Sequence, residues 1–186
     1  MDDGRDVVFI ESESPDRSAS VRVELFRSLV EQHGLDNVMM LSPMRKNTAT
    51  SVNSLNESLQ EILNPAGQEK PEIAYGKRIY RVGDKVMQLK NKHDADLSNG
   101  DIGRIQRIYR ENGGNMVDVR FSGNRTYSYE QGQLKELDLA YATTIHKSQG
   151  SQSRMVIVNQ QTAHYVMLKR PMIYTAITRA IDAVYI

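Results

Sequence analysis

The chain has 186 residues, which is room for one domain of ordinary size or for one domain with a small insert. Hydrophobic residues make up 39% of it, as in a soluble globular protein, and no run approaches the ~20 apolar residues of a membrane helix. The absence of cysteine excludes disulfides and thiolate metal sites, and the four histidines lack metal-ligand spacing. The sequence therefore predicts a cytoplasmic protein with no membrane contact and no metal site of its own.

The first third of the chain predicts strand, helix, strand and helix. A short apolar run at 7–10 is typical of a buried parallel strand. A serine cap and a proline in the first turn predict a helix over 14–34, which a glycine ends. A second apolar run follows at 38–41, and an apolar stripe predicts a helix over 52–63.

From about residue 77 the hydrophobic period changes from that of a helix to that of a strand. Glycine-containing turns join several short strand-like runs. These runs lie at 85–89, 102–109, 116–121 and 125–129. Four or five short strands in about 60 residues predict a small SH3-like β-barrel over 77–137.

Charge is divided unevenly along the chain. Between Lys77 and Lys135 there are 12 basic and 7 acidic residues, a net charge of +5, whereas the remainder carries −4. Basic modules often contact phosphate backbones, although a solvated face on a small β domain explains the charge equally well.

In the last quarter the α/β pattern returns, with an apolar strand at 155–158, a helix opened by Pro171 and a last strand at 183–186. Two segments beside these strands join small and hydroxyl residues to a few strong polar groups. Residues 144–150 read Thr-Ile-His-Lys-Ser-Gln-Gly, and residues 174–180 read Tyr-Thr-Ala-Ile-Thr-Arg-Ala. Such segments let a backbone approach phosphates while a few side chains read charge.

These two segments resemble motifs V and VI of superfamily 1 helicases. The amino-acid sequence of the first, residues 144–150, is similar to that of the RecD/TraA branch. The resemblance implies an α/β fold in which residues 1–76 and 138–186 form a RecA-like parallel-sheet domain, the second of two motor domains. It also implies that the small SH3-like β-barrel at 77–137 is an insert in that domain.

The resemblance assigns the nucleotide contacts to two arginines. Arg179 in motif VI and Arg45, which follows the second strand, resemble arginines that reach the γ-phosphate of ATP. A planar guanidinium that stays charged suits phosphate oxygens. Lys46 is a rival for the role of Arg45, and a helix-end arginine or a loop cation is the structural alternative for each.

Motif V divides its contacts between DNA and nucleotide. Thr144 and His146 resemble the positions that hydrogen-bond the DNA backbone. Gln149 and Gly150 are expected at the turn nearest the nucleotide, where glycine permits close backbone approach. Gln152 stands where the family usually has a glutamate that meets the nucleotide sugar, so any contact there is made without charge.

The basic insert offers weaker candidates for DNA contact. Asn91 and Lys92 are predicted to lie along single-stranded DNA, because grooves for single strands combine cations with stacking groups. Tyr109, Tyr127 and Tyr129 are candidate stacking faces, although their alternation predicts core packing for at least one of them.

The sequence has no Gly-x-x-x-x-Gly-Lys-Ser/Thr phosphate loop and no pair of acids at a strand end to hold Mg²⁺. A complete helicase motor needs both. The chain is therefore expected to be the C-terminal piece of a larger helicase, in which ATP with Mg²⁺ is held mainly by a preceding RecA-like domain of the same polypeptide. Alone it is not expected to hydrolyse ATP.

The predicted function is that of an ATP-dependent DNA helicase, which couples ATP hydrolysis to translocation on single-stranded DNA and duplex unwinding in recombination or repair. The resemblance implies 5′-to-3′ travel. The helicase part of a conjugative relaxase is an alternative with the same motor. A non-catalytic single-stranded nucleic-acid-binding module is an alternative from another class, which the missing phosphate loop favours and the motif V and motif VI residues disfavour.

Overall fold

The computed structural model describes residues 6–10, 14–46, 48–159 and 170–186. The chain divides into two compact units, which we call the α/β unit (1–59 with 141–186) and the β unit (60–140). The domain limits inferred from the sequence, 1–76 with 138–186 and 77–137, stay a prediction.

Strands and helices alternate in the α/β unit, whereas short strands dominate the β unit. The described strands are, in chain order, β1 (Asp6–Val8), β2 (Val38–Ser42), β3 (Glu72–Tyr75), β4 (Arg78–Arg81), β5 (Lys85–Gln88), β6 (Ile102–Glu111), β7 (Gly114–Phe121), β8 (Thr126–Glu130), β9 (Leu137–Leu139), β10 (Ala142–Thr144), β11 (Ser153–Val158) and β12 (Ala180–Tyr185). The described α-helices are α1 (Pro15–His33), α2 (Val52–Leu63) and α3 (Arg170–Ile177). None of these helices is long and apolar enough to cross a membrane.

The α/β unit is built on a five-stranded sheet in the order β1-β12-β11-β2-β10, with every neighbouring pair parallel. The run at 7–10, predicted as a buried parallel strand, is a parallel strand over Asp6–Val8, but the prediction of burial is wrong because β1 is an edge strand and its residues are exposed. The apolar runs predicted at 38–41 and 155–158 are confirmed, and the central strands β2 and β11 are almost entirely buried. Strands covered on both faces read as continuous apolar runs, which is why the sequence identified them.

Helix α1 begins and ends where its capping residues predict. The hydroxyl of Ser14 accepts a hydrogen bond from the backbone N–H of Arg17 at 3.3 Å. At the other end, Gly34 adopts a φ of 82° and donates its N–H to the carbonyl of Val30 at 2.8 Å. That backbone conformation favours glycine.

One face of the sheet carries a core cluster that includes a residue from each of the two sequence segments. Ile145 from 144–150 and Ala176 from α3 are both buried in it. The other buried members are Leu41, Val156, Val158, Ala180 and Val184. Packing against the same strands therefore fixes both segments to the sheet.

The β unit contains a second five-stranded sheet, antiparallel throughout, in the order β8-β7-β6-β5-β9. The four strands predicted here are confirmed. Inward residues such as Ile105, Val119 and Tyr129 are fully buried or nearly so. A register shift between Ile105 and Arg107 marks a bulge in β6, and bulges increase the twist and bend that a small barrel requires.

The β unit also holds a two-stranded hairpin, β3–β4, that the sequence analysis did not predict. Ile73 pairs with Tyr80, and Tyr75 pairs with Arg78 across a turn in which Gly76 has a φ of 62°. The change from helix to strand therefore begins before residue 77.

A buried carboxylate organises the turn after β4. Asp84 is fully buried and accepts hydrogen bonds from the side-chain amides of Gln60 at 2.6 Å and Asn64 at 2.7 Å, and from the backbone N–H of Arg81 at 2.7 Å. Gly83 holds this turn with a φ of 92°. Three donors compensate the cost of removing the carboxylate from water.

Candidate nucleotide- and DNA-contact residues

Arg45 and Thr144 lie at the same edge of the parallel sheet. Strands β2 and β10 are neighbours, and Thr144 is in register with Ser42, three residues before Arg45. Thr144 is the last residue of β10 and Arg45 follows the end of β2, so both lie at carboxyl ends of strands, where open α/β sheets bind their ligands. Arg45 is exposed, and its carbonyl accepts the N–H of Asn53 at 3.2 Å in the first turn of α2.

Two polar residues that the sequence analysis missed brace the loop carrying Arg45. The carbonyl of Thr50 accepts the hydroxyl of Ser42 at 2.7 Å and the side-chain amide of Asn159 at 2.8 Å. Both braces come directly after or at the end of buried apolar runs, which is the signal that could have identified them. The loop is thereby tied to the ends of β2 and β11.

The segment 144–150 begins with a tight turn built by its own hydroxyls. The hydroxyl of Thr144 accepts the N–H of Lys147 at 3.3 Å, and its carbonyl accepts the N–H of Ser148 at 3.1 Å. Ser148 is buried and donates its hydroxyl to the carbonyl of Ile145 at 2.8 Å. His146 is exposed, so the turn presents its imidazole to solvent beside Thr144.

The next stretch, with Gln149, Gly150 and Gln152, is exposed at all three positions. Gly150 has a φ of 87°, and a Cβ built there would meet no atom of the described residues within 4 Å. Glycine is therefore favoured by the backbone conformation, and the open space above it is available to a bound group.

Strand β10, which delivers Thr144, is held from its outer edge by an amide. Asn56 of α2 donates to the carbonyl of Ala142 at 3.0 Å and accepts the N–H of Ala142 at 2.8 Å. Asn56 is itself buried. This reciprocal pair imitates a neighbouring strand and fixes the position of β10, a role that sequence reasoning did not identify.

Arg179 stands at the end of α3 and is half-buried. Its Nε donates to the carbonyl of Thr175 at 3.1 Å, its Nη2 to the hydroxyl of Thr178 at 3.1 Å and its Nη1 to the carbonyl of Ser151 at 3.3 Å. The backbone N–H of Ser153 also donates to the carbonyl of Arg179 at 2.9 Å. The structure thus brings the motif VI arginine into direct contact with the stretch that follows motif V.

Arg179 and Arg45 lie at opposite edges of the sheet. Ala180, next to Arg179, is in register with Ser153 at the beginning of β11, whereas Arg45 follows the end of β2. The position of Ala180 and the end of β2 are therefore separated by roughly six residues, or ~20 Å, measured along the strands. Arg179 is therefore grouped with Ser151, and Arg45 with Thr144.

The surroundings of Arg179 suit an anion. Its described partners are two carbonyls and a hydroxyl, which are neutral and leave the guanidinium charge uncompensated. Within the part of the chain that the structure describes, they use three of its five N–H groups, so two remain to bind phosphate oxygens. Among the described residues, no group of three or more His, Asp or Glu side chains could hold a metal ion.

Lys92 in the β unit already has strong partners. Its ammonium lies 2.9 Å from a carboxylate oxygen of Glu136, 3.3 Å from the hydroxyl of Tyr127 and 4.7 Å from the centre of the Tyr127 ring. Burial would lower the pKa of Lys92, but the hydrogen bonds with Glu136 and Tyr127 outweigh it and raise the pKa. An ammonium held in this way would have to leave a carboxylate before it could meet DNA.

The other candidate DNA contacts of the β unit differ in how exposed their side chains are. Asn91 is exposed, and its side-chain oxygen accepts the N–H of Asn99 at 2.8 Å. Tyr129 is fully buried and donates its hydroxyl to Gln88 at 2.7 Å, which confirms that at least one of the three tyrosines packs in the core. Burial also raises the pKa of Tyr129. Tyr109 is half-buried and has the guanidinium of Arg107 4.8 Å from its ring centre.

Two family models match the chain. The SH3 domain of ATP-dependent RecD-like DNA helicases matches residues 55–121, and the UvrD-like helicase C-terminal domain matches residues 139–186. The first covers most of the β unit, and the second covers the segments with Thr144 and Arg179.

Two curated relatives of the chain are RecD proteins. The chain is 37% identical over 152 residues to an ATP-dependent RecD2 DNA helicase of Deinococcus radiodurans, which covers 82% of the chain and 20% of that protein. It is 32% identical over 146 residues to the RecD subunit of the RecBCD enzyme of Mycolicibacterium smegmatis, covering 78% of the chain and 24% of that protein. The chain thus spans about a fifth to a quarter of the length of these relatives.

Solved structures share the fold. A Bacteroides Pif1 helicase in complex with ADP-AlF3 and single-stranded DNA has a TM-score of 0.55 at 18% identity, over 89% of the chain and 45% of that structure. A Candida albicans Pif1 helicase has a TM-score of 0.54 at 18% identity, over 94% and 50%. The predicted fold class, a RecA-like parallel-sheet domain with a small SH3-like domain, is confirmed.

Fold and matched domains together define the class as the superfamily 1 helicases. Within that class, the chain belongs to the RecD-like family.

Proposed function

We propose that this chain is the second motor domain, with its SH3-like barrel, of an ATP-dependent DNA helicase. The parent would couple ATP hydrolysis to translocation on single-stranded DNA and duplex unwinding, with 5′-to-3′ travel, in recombination or repair. ATP with Mg²⁺ would be held mainly by a preceding RecA-like domain of the same polypeptide.

The observation that carries this proposal is the contact of Arg179 with the stretch after motif V. A guanidinium with neutral partners and two remaining N–H groups can bind phosphate oxygens without first breaking an ion pair. Bound ATP supplies the phosphoryl group to be transferred. Arg179 would stabilise the negative charge that develops on that group.

The neighbouring residues would complete the nucleotide side. Gln149 and Gly150 are exposed beside Arg179's partner Ser151, and the open space at Gly150 permits close approach of a ligand to the backbone. Gln152 would offer the nucleotide sugar a hydrogen bond without charge. Arg45 lies at the other edge of the sheet, ~20 Å along the strands from the level of Arg179, so this proposal assigns the γ-phosphate to Arg179 alone.

Thr144 and His146 would hold the DNA backbone. Thr144 ends β10 and His146 lies in the turn that follows, and the exposed imidazole of His146 is available to a phosphate. The same stretch of chain continues to Ser151, so movement of the DNA-contact turn would be transmitted to the partner of Arg179. Opening and closing of a cleft could in this way be coupled to DNA movement.

The helicase part of a conjugative relaxase is a second candidate. A specific observation favours it: the chain is 35% identical over 106 residues to the conjugal transfer protein TraA of Agrobacterium fabrum, which covers 57% of the chain and 9% of that protein. The proposed roles of Arg179, Thr144 and His146 would be the same in that parent.

Arg179→Ala in a helicase that contains this chain tests the proposal. DNA-stimulated ATP hydrolysis should fall about 10³-fold or more while DNA binding changes little, because a phosphate-stabilising arginine acts mainly in the transition state. Arg179→Lys should restore little, since an ammonium lacks the planar fork. Phosphate release and DNA binding are measured side by side.

Arg27→Gln is the matched control, because Arg27 is an exposed arginine of the same unit paired with Glu24 and Glu31 on its own helix. It should leave turnover unchanged. Near-normal turnover in Arg179→Ala would reduce Arg179 to a helix-end residue that satisfies local carbonyls.

A further inference from the structure

The guanidinium of Arg179 is held by a relay at the end of α3. Nη2 of Arg179 donates to the hydroxyl of Thr178 at 3.1 Å, and that hydroxyl donates its single proton to the carbonyl of Thr175 at 3.0 Å. The same carbonyl accepts Nε of Arg179 at 3.1 Å. The Thr178 oxygen is therefore oriented as an acceptor toward the arginine.

This relay constrains the side chain more than a carbonyl alone would. Nε and Nη2 lie on one side of the planar guanidinium, and two anchors on that side fix the plane as well as the position. The third bond, from Nη1 to the carbonyl of Ser151, comes from a different segment of the chain. One N–H of Nη1 and one of Nη2 remain, and the three bonds to described residues fix the plane in which they lie.

We propose that Thr178 is a positioning residue for Arg179, and that its hydroxyl orients the guanidinium toward the phosphate. The proposal rests on the function proposed above for Arg179. A serine at this position keeps the hydroxyl relay, whereas valine keeps the branched shape and removes the relay. The two substitutions therefore separate the hydroxyl from the packing of the side chain.

The test follows the Arg179 Nη2 protons, one of which donates to Thr178, in the 186-residue chain labelled with ¹⁵N-arginine. The Arg179 signal is assigned by its disappearance in Arg179→Lys. In Thr178→Val the exchange of the Nη2 protons with water should become roughly three- to tenfold faster, the range expected for loss of the hydrogen bond from Nη2 to the Thr178 hydroxyl. Thr178→Ser should exchange like the wild type. Thr178→Ala provides a second variant without the hydroxyl if the valine variant does not fold.

Thr126→Val is the matched control, since Thr126 is an exposed threonine of the β unit. In this variant the Arg179 protons should exchange with water at the wild-type rate. Unchanged exchange in both Thr178→Val and Thr178→Ala would overturn the proposal, as would exchange in Thr178→Ser as fast as in those variants. Because no nucleotide is needed, this result is independent of the turnover of Arg179→Ala, which tests the phosphate role itself.

Discussion

Lys92, a cation of the basic module, can stabilise the folded β unit through its ion pair with Glu136. Its side chain and that of Glu136 are only 12% and 15% exposed, so loss of the ammonium would leave a poorly solvated carboxylate. Lys92→Gln should therefore lower the free energy of unfolding by about 1–3 kcal/mol. Urea denaturation of the chain measures this.

Lys90 provides the comparison, because it is an exposed lysine two residues away in the same unit. Lys90→Gln should change the free energy of unfolding by no more than about 0.5 kcal/mol. Equal stability of the two variants would mean that the ion pair with Glu136 contributes nothing, and Lys92 would then be available for DNA.

Asp118 should make stability depend on pH. Burial alone would raise its pKa, but hydrogen bonds from Ser128 at 2.7 Å and Arg107 at 2.6 Å outweigh this and lower the pKa. A carboxylate with a depressed folded-state pKa contributes stability above its unfolded-state pKa, about 3.9. That contribution is lost as the pH falls through the lower, folded-state value.

Asp118→Asn removes the titrating group and should cost about 1 kcal/mol at pH 7. The difference between the wild type and this variant should shrink as the pH falls below about 4. Urea midpoints at pH 7 and pH 2.5 measure the change. A difference independent of pH would show that the charge of Asp118 is not what stabilises this cluster.

At the scale of single elements, β6 depends on a glycine for close packing. A Cβ at Gly103 would lie 2.7 Å from a methyl of Val119, 2.8 Å from the ring of Phe121 and 2.9 Å from the carbonyl of Arg120. Gly103→Ala should therefore destabilise the β unit by about 1–3 kcal/mol through overpacking. Thermal unfolding followed by circular dichroism measures it.

Gly132→Ala is the control, because a Cβ at Gly132 would lie more than 4 Å from every described neighbour. It should leave the unfolding temperature nearly unchanged. Comparable losses in the two variants would point to glycine flexibility in general and away from the contacts of Gly103.

Local signals predicted the elements better than the contacts between them. The caps Ser14 and Gly34 act within one turn of α1, and the apolar run of β11 reflects burial on both faces, so both were visible in the sequence. The hairpin β3–β4 was missed because its residues alternate only weakly around Gly76.

Long-range polar partners were not predictable in the same way. Asp84 accepts amide hydrogen bonds from Gln60 on α2 and from Asn64 directly after it, and Lys92 pairs with Glu136. These contacts form through folding that no local pattern encodes. The segments around Thr144 and Arg179 were predicted as separate motifs. Their meeting through Ser151 depends on the parallel register of β11 and β12.

For the whole molecule, we expect weak binding of single-stranded DNA without marked sequence preference. The +5 charge of residues 77–135 and the turn with Thr144 and His146 favour the backbone and offer no code for bases. Each phosphate contact should add about −0.7 to the log–log salt slope. Fluorescence anisotropy with a labelled oligonucleotide across a salt series measures affinity and slope.

Thr144→Val combined with His146→Ala should weaken this binding roughly tenfold, as expected for loss of two hydrogen bonds. His33→Ala, at the far end of α1, serves as a control that removes an imidazole elsewhere in the α/β unit. If the double variant binds as tightly as the wild type, the DNA contact does not lie at the turn after β10.

The amide pair between Asn56 and Ala142 has a consequence for association between molecules. An edge strand such as β10 normally offers its unpaired N–H and C=O groups as a template for another chain. At Ala142 both groups are already satisfied by one side chain, so a foreign strand cannot extend the sheet past that residue. A single buried asparagine thus prevents the strand that carries Thr144 from acting as a template for aggregation. Lysines or bulges have the same effect on the edge strands of other proteins.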